Sequence, residues 1–226
     1  MARIIEHLIG PRVPIDELRA RPFRYATPTV IFMVARVLLL MSIFVPYWHM
    51  ELVAPQYPDG LFLTAYVNHL TGDVKEIDGL NHYIGMRPLG EAAAFEKAAS
   101  IWLTIAMFLL VEGAAFVHSK WAVLLALPAI GYPIAFIVDL YFWMRHFGQN
   151  LDPDAPLSAA IKPFTPTVVG EGGIGQFRTY AEMGLGYWLA VACAVLTIAG
   201  FIFHRRAYKP LFARMRADAA KAGAGS

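Results

Sequence analysis

Four apolar stretches of about 20 residues limit what this chain can become. They cover residues 28–47 (within TPTVIFMVARVLLLMSIFVPY), 98–117 (ASIWLTIAMFLLVEGAAFV), 121–142 (WAVLLALPAIGYPIAFIVDLYF) and 185–203 (LGYWLAVACAVLTIAGFIF). At about 1.5 Å of rise per helical residue, each is long enough to cross a hydrocarbon layer of about 30 Å. Only 16% of the 226 residues are charged, against about a quarter in soluble domains. The expected fold class is an all-α membrane protein, with four transmembrane helices and a small external β-hairpin and loop cap. The first 27 residues are polar and arginine-rich, and no cleavage pattern follows the first run, so that run is expected to stay as a signal anchor.

Charge sets the expected orientation. Residues 1–27, 118–120 and 204–226 hold 12 of the 19 Lys and Arg residues against four acids. The two long loops, 48–97 and 143–184, hold six against eleven acids. Positive residues stay on the cytoplasmic side. Both termini are therefore expected in the cytoplasm of a bacterial inner membrane, with both long loops outside. The organisation reads as a basic cytoplasmic arm (1–27), a four-helix transmembrane domain (28–203) and a basic cytoplasmic tail (204–226). The arm includes a short amphipathic piece suited to lying on anionic lipid. The tail should extend the fourth helix and fray.

In the first loop, LFLTAYVNHL (61–70) alternates like a strand, Thr71-Gly72-Asp73 turns, and VKEI (74–77) is expected to return as a second strand. EAAAFEKAAS suggests that the second spanning helix begins near Glu91. The stretch DGLNHYIGMRPL (78–89) should be ordered and lie against the second loop. That second loop, with its prolines and clustered glycines, is expected to be irregular and without long elements.

The residues with chemical potential come in pairs near the outer ends of the spans. They are His49-Met50, His82 with Met86, and Met144 with His146; His69 and Met183 stand alone. Imidazole with thioether is a soft donor set that suits Cu(I). These six residues are the candidate copper ligands, and copper is the only cofactor the sequence suggests. Against that stands a structural reading, in which glycines, Pro88 and Tyr83 shape a turn at headgroup level. Three ionisable residues fall within spans. Arg36 and Glu112 are expected to pair, and Asp139, near the outer end of its span, is expected within reach of Arg145 by snorkelling. Cys193 is expected to pack, since a single cysteine forms no internal disulfide and no C-x-x-C-H haem attachment. GEGGIG (170–175) has the composition of a dinucleotide loop without its βαβ setting. Asp152 and Asp154 suit a turn better than a calcium site. No catalytic set, facing pair of mid-span histidines or nucleic-acid surface is visible.

The segments APQYPDGL, GLNHYIGM and NLDPDAP carry a resemblance that runs over residues 30–203. They resemble a family of small multi-span membrane proteins encoded near nitrous oxide reductase maturation genes, some of them labelled "cytochrome c" without a haem motif. The arm before residue 27 looks like an addition to that family's pattern. The resemblance implies a neighbourhood of copper-containing respiratory enzymes. The expected function is a non-enzymatic accessory or structural subunit of a larger membrane complex, with membrane lipid and other membrane-protein subunits as partners. The alternative is a copper-handling protein that uses the His/Met pairs in metalloenzyme maturation.

Overall fold

The computed structural model describes residues 14–119, 121–157 and 159–224, so the first half of the expected amphipathic arm lies outside the described residues. The chain is 63% helical. Its helices are α1 (Ile15–Ala20), α2 (Pro22–Met41), α3 (Val74–Ile84), α4 (Ala94–Phe116), α5 (Ala122–Gln149) and α6 (Leu185–Ala224). Five strands complete it: β1 (Trp48–Ala54), β2 (Tyr57–Ala65), β3 (Leu70–Gly72), β4 (Gly170–Ile174) and β5 (Phe177–Met183). Helices α2, α4, α5 and α6 are long and apolar enough to cross a membrane. In α2 the buried residues Tyr25, Pro28, Phe32, Ala35 and Leu39 recur every three or four positions, one stripe of a helix. The other faces of these helices expose large apolar side chains, including Phe23 (87%), Trp102 (73%) and Ile134 (69%). Such surfaces need a cover other than water, and a lipid phase supplies it. Four such helices are what a multi-pass membrane protein requires.

Two compact units divide the chain. The helical unit comprises Met1–Leu39, Ala106–Gly131 and Val191–Ser226. Phe32 is fully buried there and meets Phe201 edge-on, with ring centroids 5.0 Å apart. The neighbouring Gly200 makes room, since a Cβ at that position would lie 2.9 Å from the Phe32 ring. Ala114, Ala122 and Ala126 form a small-residue core that lets backbones approach. Tyr25 packs on Tyr208 at 5.2 Å, and Arg24 donates to the carbonyl of Arg206 at 3.1 Å. Arg36 is ion-paired with Glu112, and its guanidinium carbon lies 5.4 Å from the centre of the Phe108 ring. Cys193 is buried among packing neighbours.

The sheet-bearing unit comprises Leu40–Ile105 and Tyr132–Ala190. Its strands are antiparallel in the order β3-β2-β1-β5-β4. Alternation along β1 turns Trp48, Met50 and Leu52 to one face. There they join Leu61, Leu63, Ala181 and, from α3, Ile77 in a buried cluster. Trp48 is anchored by its indole N–H, which donates to the Val168 carbonyl at 2.6 Å. The stretch 78–89 is tied to the second loop by the backbone, with Asp152 N donating to Gly85 O at 2.8 Å and Leu157 N to Tyr83 O at 2.9 Å. Gly85 closes α3 in the left-handed region (φ 81°), and its α-carbon abuts the Asp152 backbone.

Several expectations are corrected here. VKEI opens α3 instead of forming a strand, because Val74, Ile77, Leu80 and Ile84 recur at helical spacing and Gly85 ends the run. The partners of β2 are β3 and β1, so the hairpin is part of a larger sheet. The second loop is not free of regular elements. GEGGI and FRTYAEM form a hairpin around Gly175 (φ 60°) and Gln176, and β5 pairs with β1. The first spanning helix starts at Pro22 and ends at Met41, so His49 and Met50 lie on a strand instead of at a helix exit. One expectation in this set holds, since the fourth helix does extend into the tail, as far as Ala224. Among the described residues Asp139 and Arg145 form no ion pair. Six residues along one helix set them about 120° apart around its axis.

Candidate functional site

The inner face of the sheet borders a cavity of about 60 Å³. Three of the six candidate copper ligands line it: Met50 from β1, Met86 from the turn after α3, and Met144 from α5. The three histidines do not. His49 follows the alternation of β1 to the opposite face, where its Nδ1 meets Thr64 Oγ1 at 3.2 Å. His82 is exposed on α3. His146 stacks on Phe142, with centroids 5.9 Å apart, and its Nδ1 lies 3.2 Å from Asn150 Nδ2. The three methionines thus share one apolar cavity wall with a dozen other residues, and the three histidines lie elsewhere.

Two further residues on the cavity wall were not singled out as ligands by sequence reasoning. Asn81 (7% exposed) and Thr179 (4%) each carry a buried polar atom, Nδ2 and Oγ1, without a hydrogen-bond partner. Nearly all such groups in folded proteins are satisfied, and neither of these atoms presents surface to the cavity. In sequence each is an ordinary polar residue on an amphipathic element. Only the pairing of β1 with β5, about 130 positions apart, puts Thr179 near Met50.

The other face of the sheet has different chemistry. Cross-strand register aligns Thr64, His49 and Glu182 in one row, and Phe62, Glu51, Tyr180 and Glu171 in the next. These residues line an open groove of about 550 Å³. Phe62 is 53% and Tyr180 41% exposed. Arg178 reaches Glu171 at 3.4 Å, with both side chains mostly exposed. Three carboxylates against one arginine leave the face acidic. Among the described residues, no group of three or more His, Cys, Asp or Glu side chains is placed to hold a metal ion.

Away from the sheet, His118 and His204 of the helical unit lie with ring centroids 5.1 Å apart, against Tyr208. That spacing leaves no room for a haem iron and its macrocycle between them. Burial holds the His118 imidazole below its ordinary pKa, opposed by a hydrogen bond with the Phe116 backbone. The Asp152 carboxylate accepts from Asp154 N at 3.0 Å, which makes NLDPDAP a carboxylate-stabilised turn. GEGGIG is largely strand β4. No family model matches the chain, and no curated protein matches it.

Proposed function

We propose that the chain is a non-enzymatic accessory or structural subunit of a larger bacterial membrane complex, set in the inner membrane with both termini cytoplasmic. The observation that carries this reading is the acidic sheet face, where Phe62 and Tyr180 stand exposed between Glu51, Glu171 and Glu182. Aromatic residues flanked by charge are typical of recognition surfaces. Three carboxylates select a basic partner segment, which electrostatic complementarity steers into place. The partner is accordingly an external, basic segment of another membrane-protein subunit. The sequence resemblance associates that complex with a copper-containing respiratory or oxidising enzyme.

Purification from native membranes in mild detergent tests the reading. A second membrane subunit should co-purify with the wild-type chain. It should be lost from a Glu51→Lys/Glu171→Lys/Glu182→Lys variant that still purifies folded. A chain that comes alone, or a partner indifferent to charge reversal, overturns the docking reading. Cysteine labelling at Asp73 and Asp154 in intact spheroplasts tests the orientation, and protection at both positions would reverse it.

The second reading, a copper-handling protein, draws on the presence of Met50, Met86 and Met144 in the lining of one cavity.

A further inference from the structure

We infer that a basic partner segment binds this protein as an added strand on the free edge of β4, with its backbone bonded to Glu171 and Gly173. The inference rests on the docking reading and names how the partner is held.

Topology gives the first argument. The sheet has two edges, β3 and β4. β3 is three residues long and leads through Asp73 directly into α3. β4 spans five residues, and among the described residues only β5 bonds to its backbone. Ile174 and Phe177 flank the two-residue turn Gly175-Gln176, so this pair exchanges the closing hydrogen bonds of the hairpin. Bonded and non-bonded pairs alternate along antiparallel strands. The Gly172–Thr179 pair is therefore bonded. Glu171, opposite Tyr180, and Gly173, opposite Arg178, turn their N–H and C=O groups away from β5. Both residues are exposed.

The second argument is composition. Natural sheets guard an edge with lysine, proline or a bulge. GEGGI has no lysine or proline, and its pairing with β5 runs without a register shift. Glycine is a poor strand former, and in a strand it suits the close approach of another backbone. A Cβ on Gly173 would meet nothing nearer than the Phe177 carbonyl oxygen at 3.9 Å, so the edge is open there. Glu171, Gly172 and Gly173 also line an open groove of about 550 Å³, together with Phe177 and Arg178.

Charge identifies the occupant. Glu171 is the edge end of the row Glu171, Tyr180, Glu51 and Phe62 that crosses the outer face. Glu171 is shared with Arg178, but Glu51 and Glu182 have no ion pair among the described residues. A strand added to β4 continues that row, and a lysine or arginine opposite Glu171 makes a favourable cross-strand pair. A second copy of β4 would bring another Glu171 to the same edge instead. The occupant is thus an extended segment of another subunit with cations at alternate positions. Its main chain supplies affinity and its side chains supply choice.

The test uses the purified full chain in detergent and a short synthetic peptide of alternating lysine and valine, followed by fluorescence anisotropy. The peptide should bind, and amide hydrogen exchange at Glu171 and Gly173 should slow in the complex. A glutamate–valine peptide should not bind. Two further forms of the lysine peptide are N-methylated at every second residue, on the lysines or on the valines. One of the two should bind at least about tenfold more weakly than the other, since only one backbone edge faces β4. Gly173→Pro removes an N–H that the native ladder does not use and should cause a similar loss, while Gly173→Ala stays within about twofold of wild type. If Gly173→Pro unfolds the chain, the methylated peptides decide on the wild type. Equal binding of both methylated forms would overturn strand addition. The docking reading would still stand if Glu51→Lys/Glu171→Lys/Glu182→Lys abolished that binding. Failure of the lysine peptide to bind also overturns strand addition, and co-purification then judges docking by itself. A dimer of this chain that Gly173→Pro abolishes would give the edge to a second copy and overturn the inference.

Discussion

In the helical unit Arg36 is matched by Glu112 and faced by the Phe108 ring, whereas in the sheet-bearing unit Asn81 and Thr179 each bury a polar atom without a hydrogen-bond partner. The first arrangement closes on itself. A cation set among apolar helices is tolerable because its counter-ion sits on the next helix, and the Phe32–Gly200 contact shows the same fit of shapes. The second arrangement leaves two buried polar atoms unmatched on its inner face and an unneutralised acidic row on its outer face. The contrast is not total, since His204 Nε2 in the helical unit is also buried without a partner. Polar groups that satisfy one another read as packing. Polar groups that do not are where a ligand or a partner has something to gain.

The largest expected effect comes from breaking the closed arrangement. Glu112→Leu leaves Arg36 without a counter-ion and should lower unfolding stability by about 3 kcal/mol, followed by thermal denaturation in detergent. Arg36→Leu combined with Glu112→Leu should recover most of that loss, because the isolated charge causes it. If Glu112→Leu unfolds with wild type, the pair contributes nothing and the contrast between the units fails.

Next in size is Gly85→Val. A branched side chain at φ 81° carries a backbone penalty, and its Cβ would come within 2.6 Å of the Asp152 carbonyl oxygen. A loss of about 2 kcal/mol is expected, together with faster proteolysis between residues 150 and 160, the segment that Gly85 and Tyr83 hold through their carbonyls.

These two variants also mark what could be read without coordinates. Arg36 and Glu112 were legible because a charge inside an apolar run demands a partner, and few candidates exist. The four helices were legible for the same reason, as length and hydropathy act locally. The sheet was only partly so. LFLTAYV alternates and reads as a strand on its own, but β5 becomes the neighbour of β1 only through the fold, and glycine-rich β4 has too few side chains to show a period. VKEI misled because four residues do not distinguish a period of 2 from one of 3.6 until Leu80 and Ile84 are counted. The candidate site split along the same line. Chain proximity suggested His49-Met50 as a unit, and strand alternation sends the two side chains to opposite faces.

A smaller, graded effect belongs to His118 in the helical unit. Its ring is half-buried against His204, Tyr208 and Phe212, and burial lowers its pKa from the ordinary 6.5. The unfolded chain then binds the proton more tightly than the native one. Stability from this group is complete above pH 6.5 and declines as pH falls toward the native pKa. The unfolding midpoint should drop between pH 7 and pH 5, and His118→Phe should reduce that dependence. An unchanged slope in the variant would assign the acid sensitivity to other groups.

The smallest expected effect on stability is the most useful for the sheet face. Glu171 and Arg178 touch at 3.4 Å with side chains 59% and 69% exposed, the setting in which solvent screens most of the attraction. Glu171→Ala should change unfolding stability by less than about 0.5 kcal/mol. A larger loss would mean that the outer row holds the sheet together, which would make its acidity a structural feature like the Arg36 pair. A change within that limit, combined with loss of a co-purifying subunit when Glu51, Glu171 and Glu182 are reversed, separates the two roles. The carboxylates would then do nothing for the fold and act only on a partner, which is how a docking surface differs from a core.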